Sequence, residues 1–221
     1  MTNHRYQWSA LSAGLTLAIL CLNAPATLAQ TREPIGRFVA DARVALPRYK
    51  ADPNIATSIG VGTLNLPTRG LGLVGGVHLY PLRMGVVTLG LGGEVLVSRA
   101  SRALEPTTEG GEEGPTVRTQ FSALSPQISL NFGSRRGWSY LSGGLGWSDL
   151  TTEREDDPVA EPESRAKTIN YGGGARWFAK QHLAFSLDLR FYAISPQDAT
   201  TGRPAYPRMT LMVFSGGVSF K

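Results

Sequence analysis

Residues Lys167–Ser195 have the sequence KTINYGGGARWFAKQHLAFSLDLRFYAIS, and their pattern is the clearest indication of secondary structure in the chain. Read with a period of two, its second half has five apolar residues in one row: Leu183, Phe185, Leu187, Leu189 and Phe191. A helix would spread these residues over two opposite faces, whereas a strand places them on one face. The first half alternates in the same way from Ile169 to Trp177. The stretch therefore predicts a β-hairpin that turns near residues 179–181.

Six further segments alternate between apolar and polar or small residues, which brings the predicted strands to eight. The six are Gly36–Leu46, Gly70–Leu82, Val86–Ser98, Thr119–Phe132, Trp138–Ser148 and Arg208–Lys221. The segment 119–132 contains Pro126, which cannot donate a ladder hydrogen bond and is typical of an edge or a bulge.

The connections between the predicted strands alternate in length, and the long ones span 47–69, 99–118, 149–166 and 196–207. An up-and-down barrel with an even number of strands places all its short turns at one end. Outer-membrane barrels show this asymmetry, with strands of ~10 residues whose side chains alternate between lipid and lumen. The sequence therefore predicts an all-β fold: an eight-stranded antiparallel up-and-down transmembrane β-barrel with its apolar rows toward lipid.

The first 29 residues have the features of a secretory signal peptide. Arg5 precedes an apolar run over residues 11–22, and small residues follow at Ala26 and Ala29. This run is shorter than the ~20 apolar residues of a spanning helix, so we expect cleavage after Ala29, or alternatively after Ala26. The barrel domain then covers residues 30–221. The single cysteine, Cys21, lies in the predicted signal peptide, so the mature chain has no thiol for a disulfide, a zinc site or a nucleophile.

Length and composition fit one domain of the all-β kind. The chain has 221 residues, with 26 glycines and 14 prolines, which suits many strands and turns. Its formal net charge of +5 gives a pI near 9.6. Nucleic-acid binding needs cations clustered on one face, whereas no run of Lys and Arg here exceeds two residues. We therefore expect no nucleic-acid partner.

The polar rows face the barrel interior if the apolar rows face lipid. They carry nine charged, amide or imidazole side chains: Asp41, Arg43, His78, Glu94, Gln127, Asn170, Arg176, Asp188 and Arg190. These residues could line a pore, but eight strands enclose a space only just wide enough to be filled by side chains. Buried charges persist only when paired. We therefore predict a structural lumen network in which three carboxylates balance three arginines: Asp41, Glu94 and Asp188 with Arg43, Arg176 and Arg190.

The second and third long loops are acidic. They hold 11 of the 17 carboxylates, and cations stand at the bases of the long loops: Arg99, Arg102, Arg118, Arg165, Lys167 and Arg208. Segments of this composition stay solvated because they have little to bury. The alternative is a collar that contacts lipopolysaccharide through phosphates or bridging cations, or a ligand-binding rim. No calcium-loop spacing is present.

Four segments resemble the small eight-stranded bacterial outer-membrane barrels of the outer-membrane protein A and X type. They are Asn170–Arg176, Asp188–Tyr192, Gly137–Gly144 and the terminal strand with its aromatic Phe220. The resemblance implies a monomer in the bacterial cell outer membrane, in contact with membrane lipid and lipopolysaccharide, and inserted by the outer-membrane insertion machinery. It implies a structural or surface-interaction role without a cofactor. Lys221 follows Phe220, whereas the terminal strand of this family usually ends on the aromatic residue itself. We expect no peptidoglycan-binding domain after strand eight.

Three alternatives stay open: a small pore or transport barrel, a lipid-A-modifying enzyme, and a secreted soluble lipocalin-like binding barrel. An enzyme needs a nucleophile and a base in contact at the outer rim. His78 and His182 lie beside short turns, so we predict no enzyme, no catalytic residue and no metal site. A lipocalin-like barrel would turn the apolar rows inward. Aromatic residues near strand ends argue against a lipocalin-like barrel, because we interpret them as a girdle at the membrane interface. They are Tyr80, Trp138, Tyr140, Trp147, Trp177, Phe178 and Tyr192.

Overall fold

The computed structural model of the protein describes residues 33–105, 114–160, 162 and 165–221. Within these residues eight strands pair antiparallel in sequence order, and β1 pairs with β8 to close a barrel. The strands are β1 (Phe38–Arg48), β2 (Leu71–Met84), β3 (Val87–Ala103), β4 (Thr116–Ser134), β5 (Gly137–Arg154), β6 (Ala166–Phe178), β7 (Leu183–Ile194) and β8 (Met209–Phe220). The predicted eight-stranded up-and-down barrel is confirmed. The predicted signal peptide over residues 1–29 lies outside the described residues.

Strands β3, β4 and β5 extend three or more residues further than predicted at the long-loop end of the barrel. β3 and β4 stay paired as far as Ala103 opposite Thr116, and β4 and β5 as far as Val117 opposite Arg154. Part of the predicted loops 99–118 and 149–166 is therefore barrel wall. The polar composition suggested solvated loops, but the β-branched residues at Thr116, Val117 and the Thr151–Thr152 pair favour strand.

The first long connection contains a short helix that the sequence did not predict. Helix α1 (Pro53–Ser58) begins after Asp52, whose Oδ1 accepts a hydrogen bond from the backbone N–H of Asn54 at 2.9 Å. Proline at the first helical position suits this start because its missing N–H has no helical partner there. A 3₁₀ turn, Thr63–Asn65, follows. No helix among the described residues is long and apolar enough to cross a membrane.

The two prolines within strands lie at interruptions of the pairing. The register between β2 and β3 shifts between Leu79 and Leu82, at Pro81. Pro126 of β4 lies opposite Gly93 of β3. On its other side, the pairing of β4 with β5 is interrupted between Leu124 and Ile128. Both sites fit the missing N–H of proline.

The barrel exposes its apolar rows and buries its polar rows. Exposed large residues lie on every strand, among them Val44, Leu73, Val95, Ile128, Leu145, Ile169, Leu187 and Phe214. A contiguous apolar surface of this extent is typical of a face that contacts lipid or a partner. The apolar row of β7 from Leu183 to Phe191 faces outward, opposite to the facing that a lipocalin-like barrel requires.

Candidate functional site in the barrel interior

The structure places all nine predicted interior side chains inside the barrel, each at most 5% exposed. They come from β1, β2, β3, β4, β6 and β7, and their charged groups meet at the middle of the interior. The name lumen network is used below for seven of them: Asp41, Arg43, His78, Glu94, Arg176, Asp188 and Arg190. Alternation along each strand brings these groups to the same side of the wall.

Asp41 is the centre of one half of the lumen network. Its carboxylate accepts hydrogen bonds from Arg176 Nε at 3.1 Å and from the hydroxyl of Ser219. His78 Nε2 lies 3.2 Å from the same carboxylate. The planar guanidinium of Arg176 matches the carboxylate at two points, and this fork geometry makes the pair strong and specific.

Glu94 is the centre of the other half. Arg43 forms an ion pair with its Oε1, and Arg190 Nε lies 3.2 Å from its Oε2. His78 Nε2 is 3.4 Å from Oε1, so this imidazole lies between the two halves. The contacts of His78 with Asp41 and Glu94 make the lumen network continuous.

Asp188 and several neutral groups complete the contacts of the arginines. Asp188 Oδ2 lies 3.1 Å from Arg190 Nη2 and 3.5 Å from Arg43 Nη1, and it accepts from the Tyr140 hydroxyl at 2.8 Å. Arg190 also donates to polar side chains from β4, β5 and β6: Gln127 at 2.6 Å, Ser142 at 2.9 Å and Asn170 at 3.2 Å. With Ser219 of β8, contacts of the lumen network join all eight strands of the described barrel.

Asp41, His78 and Glu94 also form a group that could supply ligands to a metal ion, with one ligand atom of each within 4.8 Å of the others. The two carboxylates already contact three guanidinium groups, those of Arg43, Arg176 and Arg190. An added divalent cation would lie among these positive charges. Pairing of opposite charges explains the arrangement, and it lowers the cost of burying each ion.

A layer of aromatic residues lies inside the barrel toward the short-turn end. Tyr80 and Trp138 pack edge to face with ring centroids 5.7 Å apart, and Trp138 stacks on Phe178 at 5.2 Å. The Arg176 guanidinium lies 4.4 Å from the ring centroid of Tyr140, a cation–π contact. The interfacial girdle predicted from the sequence is therefore wrong for four residues, which are buried in the interior: Tyr80, Trp138, Tyr140 and Tyr192. These four residues face inward because they belong to the polar rows of their strands. Of the predicted girdle, Trp147 and Trp177 are about half exposed.

An apolar layer fills the interior on the long-loop side of the lumen network. Wall residues including Leu96, Phe121 and Leu211 pack there with residues from two long connections, Ile55 and Tyr206. The connection 49–70 leaves a cavity of about 20 Å³ beneath it. Residues from outside the strands thus close the interior at this end, an arrangement that the strand pattern of the sequence does not predict.

The connection 195–208 also covers an unpaired strand edge. β5 pairs with β4 as far as Arg154 but with β6 only as far as Ser148. Arg203 Nη2 donates to the Leu150 carbonyl at 2.9 Å, and the Tyr206 hydroxyl accepts from the Thr152 N–H at 2.9 Å. Arg203 also forms an ion pair with Asp149 at 3.2 Å. These contacts replace a neighbouring strand along the free edge of β5.

A closed eight-stranded antiparallel wall, an apolar exterior and a paired ionic interior define the class of this protein, a membrane β-barrel of the outer-membrane type. Among solved structures it is similar to Neisserial surface protein A, with 12% identity, 83% of this chain and 96% of that chain covered, and a TM-score of 0.45. It is also similar to the outer membrane protein OprG from Pseudomonas aeruginosa, with 10% identity over 86% of this chain and 97% of that chain, and a TM-score of 0.44. A third similar structure is that of the outer membrane protein AlkL in lipid bilayers, with 15% identity over 90% of this chain and 94% of that chain, and a TM-score of 0.44. No family model matches the chain, and no curated protein matches it.

Proposed function

We propose that the protein is a monomeric barrel of the bacterial outer membrane with a structural or surface-interaction role. Its lumen network and the closed apolar layer hold the barrel shut to ions, and its four long connections form the surface available to partners. Export through a signal peptide cleaved after Ala29, and insertion by the outer-membrane machinery, would place those connections outside the cell. Membrane lipid and lipopolysaccharide would surround the wall.

One observation carries the proposal: every charged side chain of the lumen network is within ion-pair distance of a partner. A conducting pore needs mobile water and charges that stay available to ions, whereas these charges neutralise one another. The same contacts support the assignment of no enzyme. His78 lies among paired carboxylates in the interior, while exposed His182 contacts the Lys221 carbonyl at 2.9 Å. Lipid-modifying chemistry would need a base beside a nucleophile at the membrane face.

Conductance across a planar lipid bilayer tests the proposal. The refolded barrel should give no stable current steps, because side chains fill its interior. A triple variant, Arg43→Ala, Glu94→Ala and Arg190→Ala, should conduct if it folds, since it removes three large groups from the middle of the lumen. Leu145→Ala on the exposed face is the matched control and should stay silent. Stable steps from the unmodified protein would contradict the closed interior.

A further inference from the structure

Three arginines on neighbouring strands lie directly above the apolar band, at its long-loop edge. Arg48 ends β1, Arg69 precedes β2, and Arg99 lies near the long-loop end of β3. All three are exposed on the outer face of the wall. The apolar residues next below them in their rows are Leu46, Leu71 and Val97, which are 48%, 62% and 51% exposed.

Arg48 and Arg69 are paired directly across β1 and β2. The Tyr49 N–H donates to the Thr68 carbonyl at 2.9 Å, and the Gly70 N–H donates to the Pro47 carbonyl at 3.1 Å. These two hydrogen bonds flank the arginine pair, which makes it a non-hydrogen-bonded pair, the geometry in which facing side chains are closest. Like charges that face each other in this way destabilise a sheet. An anion between or above the two guanidinium groups would relieve this repulsion.

Arg99 adds a third positive charge beside this pair. It lies opposite Leu71, two residues along from Arg69, which makes it a diagonal neighbour at ~7–8 Å. None of the three arginines has a carboxylate within ion-pair distance among the residues that the structure describes. The three side chains thus form a cationic patch at the boundary between apolar wall and polar loops, without an ion-pair partner in the described part of the chain.

We propose that Arg48, Arg69 and Arg99 bind the phosphate group of an anionic glycolipid headgroup in the outer leaflet. The inference rests on the proposed membrane location and specifies which face contacts the lipid. Guanidinium groups bind phosphate oxygens through paired, charge-assisted hydrogen bonds. A phosphate held there places the acyl chains of the same molecule against Leu46, Leu71 and Val97. This continuity between cationic and apolar surface selects a lipid phosphate over free phosphate.

Native mass spectrometry of the folded barrel in neutral detergent, titrated with bisphosphorylated lipid A, tests the inference. The triple variant Arg48→Gln, Arg69→Gln and Arg99→Gln should bind lipid A about a hundredfold more weakly than the unmodified protein. The matched control neutralises three exposed cations at the short-turn end, Arg37→Gln, Arg136→Gln and Lys180→Gln, and should bind as the unmodified protein does. Inorganic phosphate at equal concentration should not displace the lipid. Equal binding by the triple variant, or displacement by inorganic phosphate, would overturn the inference.

A charge reversal keeps the test decisive if the triple variant fails to fold. Arg48→Glu converts the facing arginines into an ion pair, so this variant should unfold in neutral detergent at the same temperature as the unmodified barrel or higher. It should nevertheless bind lipid A about tenfold more weakly. Unchanged lipid binding would contradict the phosphate site. Ion conductance by the same preparation would contradict the proposed function. This measurement is separate from the lipid titration, so the two failures can be told apart.

Discussion

The guanidinium of Arg176 on β6 faces the carboxylate of Asp41 on β1 edge to edge, with Nε donating to Oδ1 at 3.1 Å and Nη2 donating to Oδ2 at 2.5 Å. β7 and β8 separate these strands in the wall, so the pair spans the interior and is not a contact between neighbours. Both side chains are almost completely buried. A paired charge in this position links distant parts of the wall, and removal of either partner leaves the other buried alone.

Arg176→Met should therefore destabilise the barrel strongly. The expected loss of unfolding free energy is about 3–5 kcal/mol, the range for breaking a buried ion pair. Urea unfolding in lipid vesicles, followed by tryptophan fluorescence, measures it. Lys167→Met on the exposed face is the control and should change stability by less than about 0.5 kcal/mol. The double variant Asp41→Asn with Arg176→Met should lose less than the sum of the single variants, because the two residues are coupled.

Leu187→Arg should block assembly, while the neighbouring Ser186→Ala should be tolerated. Leu187 is 44% exposed on the apolar face, and a cation near the middle of the bilayer costs about 2–4 kcal/mol. Ser186 faces inward, and its hydroxyl has no hydrogen-bond partner within the described part of the chain. The migration of unboiled samples on a denaturing gel reports the folded fraction. Equal folding of the two variants would show that the facing of β7 is wrong.

Gly174→Ala should weaken the barrel through the lumen network. A methyl group at this position would overlap the Leu187 carbonyl and the Tyr140 hydroxyl that donates to Asp188. We expect a loss of about 1–3 kcal/mol, typical of overpacking, in the same urea experiment. The control is Gly75→Ala, where the added methyl group has no atom within 4 Å. A Gly174 variant as stable as the Gly75 variant would contradict the close packing of the interior.

The closure by the connection 195–208 should loosen in alkaline solution. Burial raises the pKa of the Tyr206 phenol above its ordinary value of about 10. The closed form holds the phenol neutral, so closure is fully stable below pH ~10 and is lost as pH rises through the raised pKa. Trypsin cleavage after Arg208, at the end of this connection, should accelerate above about pH 10. Tyr206→Phe should remove this acceleration, and the same acceleration in that variant would exclude Tyr206 as its cause.

The period-two rows were sufficient to predict the strands and the facing of the wall, because facing depends only on the position of a residue within its own strand. The same rule, applied strictly, would have placed Tyr140 and Tyr192 inside. The prediction of an interfacial position for both rests on their place near strand ends, where aromatic residues are typical of a membrane boundary. The odd or even position of a residue along its strand is the stronger indicator of its facing, because a side chain cannot change face without a bulge.

Contacts between distant strands could not be predicted in the same way. That Arg176 meets Asp41, and Arg43 meets Glu94, depends on the register of several strand pairs taken together, which the alternation of any one strand does not contain. The roles of Arg203 and Tyr206 depend on where β6 ends relative to β5. One local signal was available, since aspartate followed by proline at Asp52–Pro53 is a typical helix start, and it would have predicted α1.

Nitroxide scanning along β7 shows directly whether the apolar row contacts hydrocarbon and the ionic row packs inside. The chain has one cysteine, within the predicted signal peptide, so single cysteines at positions 183–191 label cleanly in the mature barrel in vesicles. Collision with dissolved oxygen should be frequent at the odd positions and rare at the even ones, and a water-soluble nickel reagent should reach neither row. Ready access of the nickel reagent to the odd row would mean that the apolar row does not face lipid, and access to positions 186, 188 and 190 would mean that the interior is open to water.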